Sequence, residues 1–359
     1  MVDGNYAYIG HMAAPEGTSI VDVSDPKHPR KVWECEVPQG LHSHKARAAN
    51  GILVVNHEVD PMARIPGVQN LQGGLGIYDV SNPAAPKLIT FWKCAGKGVH
   101  RFTFDGRYAY ISPTMEGYRN NIVVILDLAD PAHPREVCRW WMPGQWTAGG
   151  EPRTFKDNGP LEPRCHHPIR MGDRLYVSYW HGGGFILDIS DMARPKMLSH
   201  LDWTSTFHWP THSLVPVPFP IHGHRWMLVA DEDVLPRATD KEPQMPAFLW
   251  MVNITDETNP VPVGSYQVEG VDGSGQGPNT GCHQPVEDII GNEVPCAWFA
   301  QGLRILDISN PHTLRDVASY MPEPAFGKRV CSNDVFQDKR GLIYLIDRYR
   351  GMHIVERTA

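Results

Sequence analysis

The chain has 359 residues, a net charge of −7 and a pI near 6.2. That balance speaks against a nucleic-acid or anionic-membrane partner, either of which calls for a basic face. Apolar residues make up 42% and charged residues 20%, a globular composition that excludes a disordered chain and allows a large core.

The first elements in chain order are strands. Tyr6-Ala7-Tyr8-Ile9 is followed by Ile20-Val21-Asp22-Val23-Ser24-Asp25-Pro26. The alternation of apolar and polar residues marks a strand. The Asp-Pro step ends it, because proline cannot donate to a ladder. The same pair then returns along the chain. Ile52–Val55 precedes Ile77-Tyr78-Asp79-Val80-Ser81-Asn82-Pro83, and Tyr108–Ile111 precedes Ile125-Leu126-Asp127-Leu128-Ala129-Asp130-Pro131. Leu175–Ser178 precedes Ile186–Asp191, Met227–Ala230 precedes Met251–Asp256, and Ala297–Phe299 precedes Ile305–Pro311. Ile343–Ile346 and a truncated Ile354-Val355-Glu356 close the chain. Turn signals such as Asn50-Gly51 and Asp105-Gly106 stand before the first strand of many pairs and predict hairpins.

The acidic or amide position recurs every 48 to 65 residues, room for four strands per repeat, as in a propeller blade. The pattern predicts an all-β, seven-bladed β-propeller with four-stranded blades, residues 1–359 forming one domain. Lettering strands A to D from the channel outward, the C strands fall near 18–23, 75–80, 122–128, 185–189, 248–254, 303–308 and 352–356. The chain opens at strand B and ends at strand C. Both terminal blades are therefore expected to be incomplete, with the inner strand of the first lying upstream of Met1.

These motifs resemble the LVIVD-repeat proteins over essentially the whole chain, and the resemblance implies the propeller fold. More distantly, the layout is similar to the selenium-binding protein/methanethiol oxidase family, propellers that carry a histidine-bound copper. Carotenoid cleavage oxygenases, also seven-bladed, bind iron through four histidines. Both of these are analogies of architecture.

The chemistry is concentrated at the starts of the A strands. They read His42-Ser43-His44-Lys45, Val99-His100-Arg101, Cys165-His166-His167-Pro168, Thr211-His212-Ser213 and Cys282-His283-Gln284-Pro285. Cys331-Ser332-Asn333-Asp334 breaks the series. In a propeller these starts share one face, and the ends of the antiparallel B strands return to it. Five repeats would thus present His44, His100, His166, His212 and His283 to one small ring as metal ligands, with His42 near enough to share that face. Aligning Cys-His-His-Pro with Cys-His-Gln-Pro selects His166 over His167. Imidazoles without thiolate or dense carboxylate favour a transition metal over calcium or magnesium. The bland alternative is a set of polar residues lining a channel.

The B-strand ends add Glu58 and Glu232, which are candidates for a carboxylate ligand or general base, or for partners that orient a ligand histidine. Arg101 and Arg348 are placed to clamp a substrate carboxylate or to form salt bridges between blades. Long connections (59–73, 143–164, 231–247 and 268–281) are expected over the same face. Trp140-Trp141-Met142-Pro143-Gly144-Gln145-Trp146 adds aromatic bulk there, for a pocket or for packing. Cys165, Cys282 and Cys331 flank the channel positions and are expected to pack between blades. His28, His133 and His312 follow the Asp/Asn-Pro turns on the far face and receive no role.

The expectation is an enzyme acting on a small organic molecule through a transition metal. Iron or copper and oxidoreductase chemistry are favoured. Zinc or manganese with hydrolase (lactonase or esterase) or lyase chemistry is the first alternative, and a non-catalytic protein-interaction propeller the second. No apolar run of about 18 residues exists to span a membrane. Met1-Val2-Asp3-Gly4 lacks the basic and apolar regions of an export signal. Seven cysteines without a CxxC spacing read as reduced thiols, so a cytoplasmic location is expected.

Overall fold

Successive alternating segments joined by tight turns pair with their neighbours, and the chain folds as a succession of antiparallel meanders. The computed structural model describes residues 1–60, 71–155, 162–204, 206–207, 209–234, 245–272, 277 and 279–358. Among them all regular structure is strand, and no helix is long and apolar enough to cross a membrane. Two compact units emerge: Met1–Leu175 with Asp188–Lys196, and Tyr176–Leu187 with Met197–Ala359.

In the first unit, meander 1 runs Val2–Asp3, Tyr6–Gly10, Glu16–Asp22 and Arg30–Glu36. Meander 2 runs Leu41–His42 and Ala46–Ala49, then Ile52–Val59, Gly74–Asp79 and Lys87–Lys93. Meander 3 runs Val99–Phe104, Tyr108–Pro113, Val123–Asp127 and Arg135–Trp140, and Pro163–Met171 follows. The boundary between the units falls inside meander 4, which runs Arg174–Trp180, Gly184–Asp188 and Lys196–Leu201. The second unit continues with meander 5 (Thr211–Pro216, Trp226–Asp231, Leu249–Asn253, Val261–Tyr266) and meander 6 (Gln284–Pro285, Glu293–Ala297, Leu303–Asp307, Arg315–Tyr320). Meander 7 has three strands: Ser332–Gln337, Ile343–Asp347 and Gly351–Val355.

One expectation is corrected. The inner strand of the first repeat was placed upstream of Met1, yet Val2 and Asp3 pair with Ala7 and Tyr6 and supply it. Two residues are too few to leave a periodic signal.

The third strand of each complete repeat ends in an Asx turn. Asp22, Asp79, Asp127, Asp188, Asn253 and Asp307 each accept the backbone N–H two residues on, at 2.8–3.0 Å. A short side-chain acceptor that satisfies its own chain in this way is why the acid or amide recurs before each turn. The hairpin before the Ile52 strand turns through Asn50 (φ +54°) and Gly51 (φ +74°), the left-handed pair that such a turn requires.

The core lies between neighbouring sheets, and the period-two alternation assigns each side chain to one of two layers. Leu53 and Val55 pack with Tyr8, Ile20, Ala46 and Ala48. Val54, between them in sequence, packs with Val99, Phe102, Ala109 and Ile111. Each such fully buried aliphatic side chain contributes roughly 1.5–3 kcal/mol.

Candidate functional site

Two local devices bring the A-strand starts together. The first is a stitch between successive repeats. His11 bridges Ser43, Glu58 bridges Gly98, and Phe299 bridges Ser332, while Trp180 pairs with Thr211. In each case the end of one B strand is joined to the start of the next A strand. The second device is an extra residue at the site position. Val99 pairs with Pro113 but Phe102 with Ile111, so His100 and Arg101 together oppose one partner residue. Thr211 pairs with Asp231 but Ser213 with Ala230, which isolates His212. Ser332 and Asp334 flank Asn333 in the same way. Between His42–Glu58 and Ala46–Val55 one residue is likewise surplus, and His44 lies there. Such β-bulges bend the strand and re-aim a side chain.

In the first unit the imidazoles form a connected set. Nε2–H of His42 donates to Oε2 of Glu58 at 2.8 Å, and Nδ1–H of His100 donates to the same oxygen at 2.7 Å. With its proton on Nδ1, His100 presents Nε2 as a lone pair, 2.9 Å from Nε2 of His166. The ring of His44 lies 4.7 Å from that of His42 and 4.9 Å from that of His100. Asn56 is fixed by the Lys45 amide on its Oδ1 and by the Val99 and His100 carbonyls on its Nδ2. That Nδ2 also meets Nδ1 of His44 at 3.2 Å. Nε2 of His44 is buried with no hydrogen-bond partner.

Charge follows from this arrangement. Burial alone would raise the Glu58 carboxyl, but His100 and His42 hold it well below the ordinary carboxylate range. Burial opposes the charge on His42, yet its bond to Glu58 lifts it above the usual imidazole value. Burial keeps His44 well below that value and lowers His100 too, so both stay neutral. Glu58 therefore reads as the group that orients His100 and balances His42.

In the second unit the rings of His212 and His283 stand 4.2 Å apart. Nδ1–H of His283 donates to the carbonyl of Asn333, which leaves Nε2 as a lone pair 3.2 Å from Oε1 of Glu232. Two acceptors at that distance call for a cation or a proton between them. The Phe299 ring lies 4.6 Å from that of His283. Phe299 and Trp180 both have positive φ, +24° and +53°. They occupy equivalent B-strand ends, and the conformation costs a bulky residue about 1–2 kcal/mol.

The donor set of the first unit fits a metal: His44 and His100 are neutral, Glu58 stands behind His100, and Nε2 of His44 is buried without a hydrogen-bond partner. In the second unit the Asn333 carbonyl stands behind His283. His42, His44 and Glu58 bring their ligand atoms within 4.8 Å of one another. Glu232 is buried at 6% exposure and Arg101 at 4%, whereas Arg348 is partly exposed. Asn333, set aside from sequence because it broke the histidine series, orients His283 through its backbone carbonyl. A carbonyl leaves no trace in residue identity, although the repeat's own alignment marks the position.

The remaining expectations divide. Cys165, Cys282 and Cys331 are buried free thiols. Trp141, Trp146 and Tyr118 cluster at 5.1–6.5 Å with Trp146 39% exposed, so this segment packs on meander 3 and also offers a ring to solvent. His28 and His133 bond Asp25 and Asp130 on the surface. Of the four long connections, residues 61–70, 156–161, 235–244, 273–276 and 278 lie outside the described residues.

Comparison with known proteins agrees with the fold. The family model for the LVIVD repeat matches residues 1–37, 70–92, 103–140, 171–202 and 291–321, so the chain carries LVIVD repeats. No curated protein matches it. Among solved structures, the C-terminal WD40 domain of Sif2 is 10% identical, with a TM-score of 0.57 over 100% of this chain and 94% of that one. Sqt1 of Saccharomyces cerevisiae is 9% identical, TM-score 0.56, covering 99% and 88%. A hypothetical selenium-binding protein from Sulfolobus tokodaii is 15% identical, TM-score 0.56, covering 96% and 83%. These likenesses establish the β-propeller fold.

Proposed function

We propose that this chain is a metal-dependent enzyme on a seven-bladed propeller, acting on a small organic molecule. Its metal ligands are drawn from His44, His100, His166, His212 and His283. The observation that carries the reading is the orientation of His100: a buried carboxylate fixes its proton on Nδ1 and leaves the lone pair of Nε2 facing Nε2 of His166. The Asn333 carbonyl likewise fixes the proton of His283 on Nδ1. An imidazole that only lined a channel would have no need of such support.

A bound transition ion would supply Lewis acidity or one-electron chemistry with oxygen. The chain's own residues have the following parts. Glu58 holds the proton on Nδ1 of His100 and balances His42. Glu232 faces His283 and is the acid placed to accept a proton from water or substrate. The buried Phe299 ring lies against His283 and excludes water from that imidazole. Iron or copper and oxidoreductase chemistry suit the predominance of imidazole. Zinc or manganese with Glu232 as base would suit hydrolysis or a lyase reaction.

Elemental analysis of protein purified without added metal tests the proposal. His100→Ala and His283→Ala are expected to lose metal and keep the fold. Full occupancy in either variant removes that residue from the ligand set. A wild-type chain that takes up no transition metal supports the second reading, a propeller that presents its loops to a protein partner. That reading is favoured by the likeness to a WD40 domain.

A further inference from the structure

The arginines of this molecule are mostly neutralised. Arg107 and Arg135 pair with Asp127, Arg170 with Asp105, Arg225 with Glu257 and Arg304 with Asp316. Arg348, like Arg315, Arg329 and Arg350, has no carboxylate within ion-pair distance among the described residues, and it alone of these four is anchored on Asn333 and Phe299. Its chain neighbour Asp347 is committed elsewhere. Asp347 accepts the backbone N–H groups of Cys331 at 2.7 Å, Tyr349 at 2.9 Å and Arg350 at 3.0 Å.

The Arg348 guanidinium is nevertheless held in place. Its Nε–H donates to Oδ1 of Asn333 at 2.7 Å, and its plane lies over the Phe299 ring, 5.2 Å from the centroid. A guanidinium anchored by Nε and one face keeps its two terminal nitrogens as a fork, the geometry that meets both oxygens of a carboxylate. Both anchors also touch His283: the carbonyl of Asn333 takes its proton and the Phe299 ring lies against it. Phe299 holds a left-handed backbone conformation there, which a bulky residue adopts only where its surroundings enforce it. An unpaired, pre-positioned cation thus stands one side chain away from a candidate ligand. Arg101, the other candidate clamp, is buried at 4% exposure.

From this geometry we infer that Arg348 is the docking point for the carboxylate of a small organic anion, and that the substrate is a carboxylate. The substrate half of the inference rests on the enzyme reading above; the anion site does not.

The test is calorimetric titration of benzoate and of its neutral isostere benzamide into the wild-type chain, Arg348→Ala and Arg348→Lys, with metal content measured on the same samples. Benzoate is expected to bind the wild type at least tenfold more tightly than benzamide. Arg348→Ala should lose that preference while still unfolding cooperatively, at a somewhat lower melting temperature from loss of the Asn333 and Phe299 contacts. Arg348→Lys should retain part of it, because a point charge remains without the fork. Absence of benzoate binding, an equal affinity for benzamide, or undiminished benzoate binding in Arg348→Ala would overturn the inference. If the alanine variant does not fold, the lysine variant decides: full benzoate affinity there rejects the fork. A wild type that holds no metal but still selects benzoate through Arg348 retires the enzyme reading and leaves the anion site standing.

Discussion

Replacing Glu58 with Gln keeps the shape of a 4%-exposed side chain and removes its charge. At present Oε2 accepts two imidazole N–H groups, at 2.8 and 2.7 Å. A hydrogen bond to a charged group contributes about 1.5–3 kcal/mol. An amide oxygen in the place of Oε2 can still accept both groups, but as a neutral acceptor, so each bond contributes about 1 kcal/mol less. Relief of the buried carboxylate's desolvation offsets part of that loss, while His42 is left without its counter-charge. A net destabilisation of about 2 kcal/mol in the metal-free chain is expected. The loosened His100 should also weaken metal binding by about 10–100-fold, or roughly 1.4–2.7 kcal/mol. Urea unfolding of the metal-free chain gives the first figure, and competition with a chromogenic chelator the second. A Glu58→Gln chain with wild-type midpoint and wild-type metal affinity would refute the orienting role given to Glu58.

Other consequences are independent of the metal. Gly302 turns the chain at φ +74° and a Cβ there would sit 2.4 Å from the Tyr320 carbonyl. Gly302→Ala should therefore cost about 2 kcal/mol or more in thermal or urea unfolding; a neutral result would show that the turn can relax. The Arg107 guanidinium, aided by Arg135 and the Ala129 amide, holds the Asp127 carboxyl below its ordinary value. Its contribution is present above about pH 4, the unfolded value, and is lost as pH falls through the depressed folded value. Asp127→Asn should cost about 1 kcal/mol near neutrality, and the two stability–pH curves should converge in acid. Parallel curves would refute the assignment. Burial pushes the Cys94 and Cys138 thiols up to about 12 and raises Cys165 and Cys282 well above the ordinary thiol range. Native protein should react slowly with a thiol reagent at neutral pH, and all seven cysteines only after denaturation.

Repetition made much of the fold legible from residues. An acid or amide that caps its own turn must recur once per sheet, and its recurrence at Asp22, Asp79 and Asp127 reveals the sheets before any pairing is known. A two-residue strand such as Val2–Asp3 has no period to read. Within each unit the candidate site is read from histidines at equivalent repeat positions. Their selection between neighbours was partly legible: His44 sits at the surplus residue, while His42 is drawn into an ion pair with Glu58. The bulges at His100, His212 and Asn333 were not visible, because a bulge is a mismatch between two strands and neither carries it alone. Nor was the part played by Asn333, which acts through a backbone carbonyl available to any residue.

Anomalous diffraction from a crystal, collected on both sides of the absorption edge of the metal found by elemental analysis, tests the central claim most directly. A single strong peak within coordination distance of Nε2 of His100 is the predicted result. A map with only solvent-level density beside that nitrogen, in protein supplied with iron, copper, zinc and manganese in turn, would contradict it.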